Sequence, residues 1–341
     1  MRAVRILQRR LPGICDQGII IFMMTIHYLN KFNEYHRTDF NGVCPLVITL
    51  GNFDGIHIGH IALLKAALEE SKRLNAVPTV WTLKYGRGEY KMPYLTDINE
   101  KIDFFNEFGI AAVISEDFDT VRGLSPEEFT EDILINKLRC VSAVCGFNFN
   151  FGKNGSGNAA VLRDLMFSYG KNCIIVPPVV YDGNIVSSTL LRKLILSGEM
   201  ETAAVLLGRP FSIKLTVISG NQIGRTIGVP TINQIFPDRH IIPACGVYCT
   251  RCAVENGGEG GVYNCVTNVG SRPTVTGGDP HIICETHIIG FDGDLYGREI
   301  KVSFYKKLRD EKKFGSVEEL KTVINNDIIM AGEYFNNVKI S

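Results

Sequence analysis

The chain has 341 residues, 45% hydrophobic and 21% charged, with a formal net charge of zero. That length allows two domains of ordinary size, each with a real core. No basic block marks a nucleic-acid surface and no acidic run marks a solvated arm, so any phosphate site must be local. Ten cysteines lie scattered, mostly within apolar runs, which reads as a reducing cytoplasmic compartment and not a disulfide framework. Cys249 and Cys252 have C-x-x-C spacing, but in a strand-like stretch without a second pair, so no zinc site is expected.

The first stretch, with arginines ahead of the short apolar run Gly18 to Met24, mimics a signal peptide. The run is too short to span a bilayer. Residues 1–23 are expected to be an extension outside the fold, with the sequence restarting at Met24. From about Cys44 the pattern alternates. "PLVITLG" reads as a buried strand and "HIALLKAALEESKRLN" as an amphipathic helix. "VPTVWTL", "IAAVIS", "VSAVCGF" and "CIIVPPVVY" read as further strands, with helices over "INEKIDFFNEFG" and "SPEEFTEDILINKLR" between them. The second of these helices starts with Ser125 as N-cap, Pro126 at the first position and two glutamates in the first turn. "SSTLLRKLILSGEMETAAVLLG" reads as helical. This order predicts a doubly wound parallel sheet of Rossmann-like type.

After about Gly208 the character changes to strand-like runs divided by Gly, Pro and Asn turns, closed by a helix over "SVEELKTVINNDIIMAGEYF". The expectation is a small β-barrel with one C-terminal helix. The domain spans expected are 24–205 and 206–341.

The chemistry concentrates in a few stretches. In "ITLGNFDGIHIGH" a strand stops at Gly51, and Asn52, Phe53 and Asp54 lead through Gly55 to a helix start bearing His57, Gly59 and His60. A helix N-terminus after a glycine turn is an anion site. Histidines three apart share a face and donate hydrogen bonds without permanent charge. This suits a nucleotide α-phosphate and its pentavalent transition state. The alternative, a glycine turn with two surface histidines, is weakened by the strand-to-helix setting. No Walker-type phosphate loop occurs. Gly220, Gly224 and Gly228 recur at spacing four, beside Arg225, as in a loop that folds over phosphates. Thr231 and Asn233 are oxygen donors on one side of an extended segment, fitting Mg²⁺ on ATP phosphates, or simply turn residues. Ser188 and Thr189 precede a helix as caps, and Arg192 lies one turn on.

"GNFDGIHIGH" resembles the nucleotidylyltransferase signature of the bifunctional riboflavin kinase/FMN adenylyltransferase family. "GFNFNFG", "VSSTLLR" and "GRTIGVPTIN" resemble three further motifs of that family, in the same order, over about residues 44–335. The resemblance implies an adenylyltransferase domain followed by a flavokinase barrel, acting on riboflavin, FMN and ATP with Mg²⁺. It implies phosphate stabilisation by His57 and His60, and a nucleotide or flavin contact for Asn148. It gives Arg192 and Ser188 the ATP phosphates and the departing pyrophosphate. It also makes Glu285, in "CETHIIGF", the general base of the kinase; alone, a strand glutamate would read as solvent-facing. Arg309, in "LRDEKKF", is a flavin-contact candidate, whereas Arg272 receives no role. No nucleic acid or membrane partner is implied, and a transient homo-oligomer stays open.

One departure stands out. The family's Pro-His-Pro turn near the flavin is replaced by "WTLKYGRGEYKMPYL". Trp81, Tyr85 and Tyr90 would then supply a stacking surface, or simply pack. Two rivals follow: a riboflavin kinase with a weakened adenylyltransferase, and a non-catalytic flavin or nucleotide sensor.

Overall fold

A computed structural model describes residues 25–28, 45–84, 92–219, 224, 228–254, 261–272 and 281–337. The expected N-terminal extension, together with Tyr85, Tyr90, Gly220 and Arg225, lies outside the described residues. By their contacts the residues form two compact units, one of 1–92 with 96–186, the other of 93–95 with 187–341.

The first unit is built on a six-stranded sheet in the order β1-β4-β3-β2-β5-β8. Its strands are β1 (Thr25–Tyr28), β2 (Leu46–Leu50), β3 (Val77–Lys84), β4 (Ala112–Asp117), β5 (Cys140–Gly146) and β8 (Asn172–Val176). From β4 to β8 all neighbours are parallel. β1 adds antiparallel at the edge, a strand the sequence pattern does not announce. The chain runs β2, β3, β4 outward and then returns to place β5 on the other side of β2. The sheet is covered on both faces, as parallel sheets are. Helix α1 (Ile58–Leu74) and helix α2 (Ile98–Phe108) pack with Val47, Val80, Phe53 and Phe105 on one side. On the other, Ile48, Leu50 and Trp81 meet α3 (Pro126–Glu128 continuing as Phe129–Lys137) and α4 (Ala159–Ser168). Trp81 is thus a core residue, T-shaped against Phe129, and not part of a stacking surface.

The expected helix α3 begins as read, with a complete capping box between Ser125 and Glu128. After Pro126–Glu128 it continues as a π-helical stretch, Phe129–Lys137, in which Leu138 N–H reaches Ile133 O at 2.9 Å. The run "CIIVPPVVY" is two strands, not one. β8 stops at Val176, before the two prolines, which have no N–H to offer a ladder. A hairpin of β9 (Val180–Tyr181) and β10 (Asn184–Ile185) follows. Between β5 and α4 a second small pair forms, β6 (Asn150–Phe151) with β7 (Gly157–Asn158).

The second unit opens with two helices where one was expected. Gly198 sits at φ 83° and ends α5 (Ser188–Ser197) in a left-handed cap before α6 (Met200–Leu207). Both helices attach to the barrel: Ala244 N–H donates to Ile195 O at 3.2 Å, and Lys306 pairs with Glu201 at 3.7 Å.

A closed antiparallel barrel runs β11-β12-β15-β14-β13-β16. Its strands are β11 (Phe211–Ile218), β12 (Ile232–Ile235), β13 (Gly246–Val254), β14 (Gly261–Arg272), β15 (His281–Ile288) and β16 (Glu299–Arg309). Inside, a hydroxyl chain joins Thr250 to Thr267 at 2.6 Å and Thr267 to Thr286 at 2.9 Å. The final helix, α7 (Val317–Asn337), sets Ala331 and Phe335 on the outer residues Val247, Cys249 and Val266.

Candidate active sites

In an open parallel sheet, ligands bind outside the carboxyl ends of the strands, where the strand order reverses. Here that point lies between β2 and β5. Leu50 is in register with Cys145, so Gly51 and Gly146 stand side by side at the strand ends. The loop after β2 is clamped to its surroundings. Gly51 N–H donates to Trp81 O at 3.2 Å. Asn52 O accepts from Thr82 Oγ1 at 3.1 Å and from the buried Lys101 Nζ at 2.8 Å. Asp54 Oδ1 accepts from Thr96 N–H at 3.2 Å. Phe53 is fully buried, edge-on to Phe105. Phe53 and Ile56 both take positive φ, 51° and 42°. For a β-branched residue such as Ile56 this costs on the order of 1–3 kcal/mol, strain that functional loops characteristically store.

The loop delivers His57 to the N-cap of α1. Its Nδ1 accepts the His60 N–H at 3.2 Å. In the neutral ring the proton therefore sits on Nε2, which is the donor. The two imidazoles stack, with centroids 3.7 Å apart and planes at 12°. Gly59 is what permits this: a Cβ there would lie 3.0 Å from His57 Nδ1 and 3.1 Å from its Cε1. Across the switch point, the side-chain oxygen of Asn148 folds over Gly146, 3.3 Å from where a Cβ would stand. Stacked imidazoles at a helix N-terminus and a carboxamide at the same sheet edge suit a phosphate-bearing ligand.

The barrel's candidate site is set by strand register. Cys284 and Thr286 are fully buried in the barrel, so Glu285 and His287 face outward. Glu285 lies directly opposite Asn233 on β12 and directly opposite Asn268 on β14. Direct cross-strand partners have Cβ atoms about 4.5–5.5 Å apart, so the three side chains form one row. Asn233 is 6% exposed, and its Oδ1 has no hydrogen-bond partner. A buried oxygen left unpaired is costly unless a ligand or ion completes it, and a carboxamide oxygen two residues along the chain from the Thr231 hydroxyl is a hard donor set suited to a divalent cation. His287 Nδ1 contacts Pro230 O at 2.8 Å, anchoring the strand entry. Thr231 Oγ1 lies 3.4 Å from where a Gly224 Cβ would be. That Cβ would itself collide with Val229 O, so the close turn requires glycine.

The thiols near these sites are inert. Burial pushes Cys284 up to about 12, and Cys249 likewise to about 12. Thiols held protonated in this way are not nucleophiles.

Two family models match the chain: FAD synthetase over residues 42–190 and riboflavin kinase over 207–335. Among curated relatives named bifunctional riboflavin kinase/FMN adenylyltransferase, the Escherichia coli K12 protein is 36% identical over 86% of this chain and 94% of its own. The Buchnera aphidicola (Schizaphis graminum) protein is 33% identical over 91% of this chain and 97% of its own. The chain belongs to the bifunctional riboflavin kinase/FMN adenylyltransferase family. A solved structure from Streptococcus pneumoniae, described as a macrolide-efflux protein, shares the architecture with a TM-score of 0.77 and 29% identity, over 88% of this chain and 97% of that one. Among the described residues no helix is long and apolar enough to cross a membrane.

Within this bifunctional family frame, the residues expected from sequence separate into groups. Gly51, Asn52, Phe53, Asp54, His57, Gly59, His60 and Asn148 lie in the first unit at the β2/β5 edge. Phe53 and Asp54 are buried there and hold the loop's shape. The cap of α5 is Ser187, whose Oγ accepts from Leu190 N–H at 3.3 Å; Ser188 and Thr189 form the first turn instead. Arg192 is buried and donates from Nε to Pro93 O at 2.9 Å. Gly224, Gly228, Thr231, Asn233 and Glu285 belong to the barrel unit. Arg309 forks onto the buried Asp327 of α7, with Nε to Oδ1 at 3.0 Å and a terminal nitrogen to Oδ2 at 2.8 Å. Asn268, the first residue of "NVGSRPT", carries no role of its own in the sequence; the pairing of β14 with β15 sets it opposite Glu285.

Proposed function

We propose that this chain phosphorylates riboflavin to FMN with one ATP and adenylylates FMN to FAD with a second. The observation that carries the kinase assignment is the row Asn233, Glu285, Asn268, with Asn233 Oδ1 buried and unpaired. Glu285 accepts the proton of the riboflavin 5′-hydroxyl as that oxygen attacks the γ-phosphorus of ATP, and ADP leaves. Thr231 and Asn233 would hold Mg²⁺, which would supply positive charge beside the phosphate oxygens. Gly224 and Gly228 bring the chain close to the phosphates, and on motif grounds Gly220 and Arg225 act with them.

In the second step an FMN phosphate oxygen attacks the α-phosphorus of ATP and pyrophosphate leaves. His57, with its proton on Nε2, and His60 donate to the oxygens that gain charge. The loop Gly51 to Asp54 and Asn148 position the nucleotide. On motif grounds Ser188, Thr189 and Arg192 take the departing pyrophosphate, and Arg309 lies on the flavin side of the kinase. Both steps are positioning and electrostatics, with no covalent enzyme intermediate. The functional spans assigned are 24–205 for adenylylation and 206–341 for the kinase, in a protein that works in the cytoplasm.

The test is a time course on purified protein with riboflavin, ATP and Mg²⁺, separating flavins. FMN that rises and then converts to FAD is the expected result. FMN that accumulates even when supplied directly with ATP would remove the adenylyltransferase. No product from either flavin would leave only a sensor.

A further inference from the structure

Three consecutive residues of the loop after β2 are gripped by α2 or by its entry. Asn52 O accepts from Lys101 Nζ at 2.8 Å. The Phe53 ring stands edge-on to Phe105, with centroids 5.4 Å apart. Asp54 Oδ1 accepts from Thr96 N–H at 3.2 Å. The start of α2 is itself fixed, because Asp97 and Glu100 form a complete capping box. Lys101 is the next residue, and it is only 7% exposed. Lysine is rarely buried to that degree, because taking an ammonium out of water is costly unless it is well paired. Packing alone would be served by an apolar side chain of similar length.

The reason lies in a single peptide unit. In a trans peptide the C=O and the N–H point in opposite directions. The Asn52 carbonyl points at Thr82 of β3 and at Lys101 of α2. β3 and β5 flank β2 on opposite sides. The N–H of the same peptide, that of Phe53, is therefore turned away from β3 and toward the β2/β5 edge, where His57, His60 and Asn148 gather. A carbonyl that accepts from a cation also polarises its amide, which makes the N–H a stronger donor. We infer that Lys101 is a positioning residue of the adenylyltransferase: its ammonium acts through the Asn52 carbonyl to aim and strengthen the Phe53 N–H as a donor to the ATP phosphates. Lys101 itself touches no substrate. The grip also holds Phe53 at its positive φ of 51°, a conformation that needs support from its surroundings. The inference rests on the adenylyltransferase reading of this edge.

The test removes each donor to that carbonyl in the full chain. Lys101→Met keeps the apolar stem and deletes the ammonium. Thr82→Val keeps the shape of the side chain and deletes the hydroxyl. FAD formation from supplied FMN and ATP gives kcat and the KM for ATP. Riboflavin phosphorylation in the same preparation reports that the protein is folded. K101M should lose about 10- to 100-fold in the kcat of FAD formation, with a smaller change in KM and with kinase turnover within about 2-fold of wild type. T82V should lose about 3-fold in kcat, because a neutral donor is the weaker of the two. A folded K101M with wild-type kcat would show that the lysine serves packing or stability alone, and would overturn the inference. Where K101M loses both activities together it has unfolded, and T82V decides: wild-type kcat there overturns the inference. Wild-type protein that makes no FAD from supplied FMN would fail before any variant is compared, and would sink the adenylyltransferase reading itself.

Discussion

Gly59→Ala separates stability from chemistry in the adenylyltransferase. Gly59 lies in the first turn of α1, so alanine there gains up to about 1 kcal/mol in helix propensity. The new Cβ would lie 3.0 and 3.1 Å from two atoms of the His57 ring, tighter than ordinary contact. The ring must turn, which weakens the cap from His57 Nδ1 to His60 N–H, a loss of about 1 kcal/mol. The two terms nearly cancel, so the melting temperature should move by only a few degrees, about 4 at most. The chemistry has no such compensation. The His57 Nε2 donor is displaced by a few tenths of an ångström, and its stacking on His60 is disturbed. Removing one preorganised donor costs about 10²–10³ in rate, and displacing it should cost about 10- to 100-fold. The assay is FAD formation from supplied FMN and ATP, with riboflavin phosphorylation followed in the same preparation. Wild-type FAD formation in a G59A protein that melts normally would refute the reasoning, because it would show that the His57 pose does not matter.

The kinase should respond to Glu285→Gln with a fall of about 10²–10⁴-fold in FMN formation, while supplied FMN is still converted to FAD; equal loss of both steps would point to unfolding. Glu70 gives a pH prediction. Its carboxyl lies at about 2, below the ordinary 4.5, chiefly through the Arg73 hydrogen bond at 2.7 Å, with Asn172 and Ser142 also donating. The lowered folded value means that the stabilisation is fully present above about pH 4.5 and fades as pH falls toward 2. The full shift would be worth about 3 kcal/mol, but Arg73 is largely exposed and solvent screens the pair, so about 1–2 kcal/mol is expected. Denaturant unfolding from pH 5 to pH 2.5 should show this slope in the wild type and lose it in Glu70→Gln. Ser187→Ala should destabilise α5 by about 1 kcal/mol, whereas Ser188→Ala should leave the helix cap intact; thermal melts of the two variants decide between them.

The alternation of strand and helix was legible because burial imposes period: β2, β3 and β5 are covered on both faces and so read as apolar runs. The capping box at Ser125 was equally legible, since the residues that make it are local. Features that depend on a partner were not. β1 is four residues long and owes its pairing to β4, so no pattern within it could announce it. The π-helical stretch of α3 differs from an α-helix by one residue in its bonding step, which spacing over nine residues cannot register. The breaks at Pro177 and Gly198 are different, because both carried ordinary stop signals that apolar continuity masked.

The same division runs through the sites. The pair His57 and His60 was visible because three residues on a helix share a face. The reason for Gly59 was not, since it lies in a ring folding back over the helix axis. On the barrel, period-two alternation places Glu285 and His287 outward, and the structure agrees. Alternation says nothing of which residue on another strand stands opposite. Asn233 is 52 positions before Glu285, and Asn268 is 17 before it, yet all three share one row. A one-residue slip of β14 would turn Asn268 into the barrel and bring a neighbour outward. What prevents the slip is the interior: Thr267 must meet Thr250 and Thr286, and its hydroxyl has partners on both sides only in this register. The buried threonine chain, which touches no substrate, is therefore what holds the outward-facing row in line.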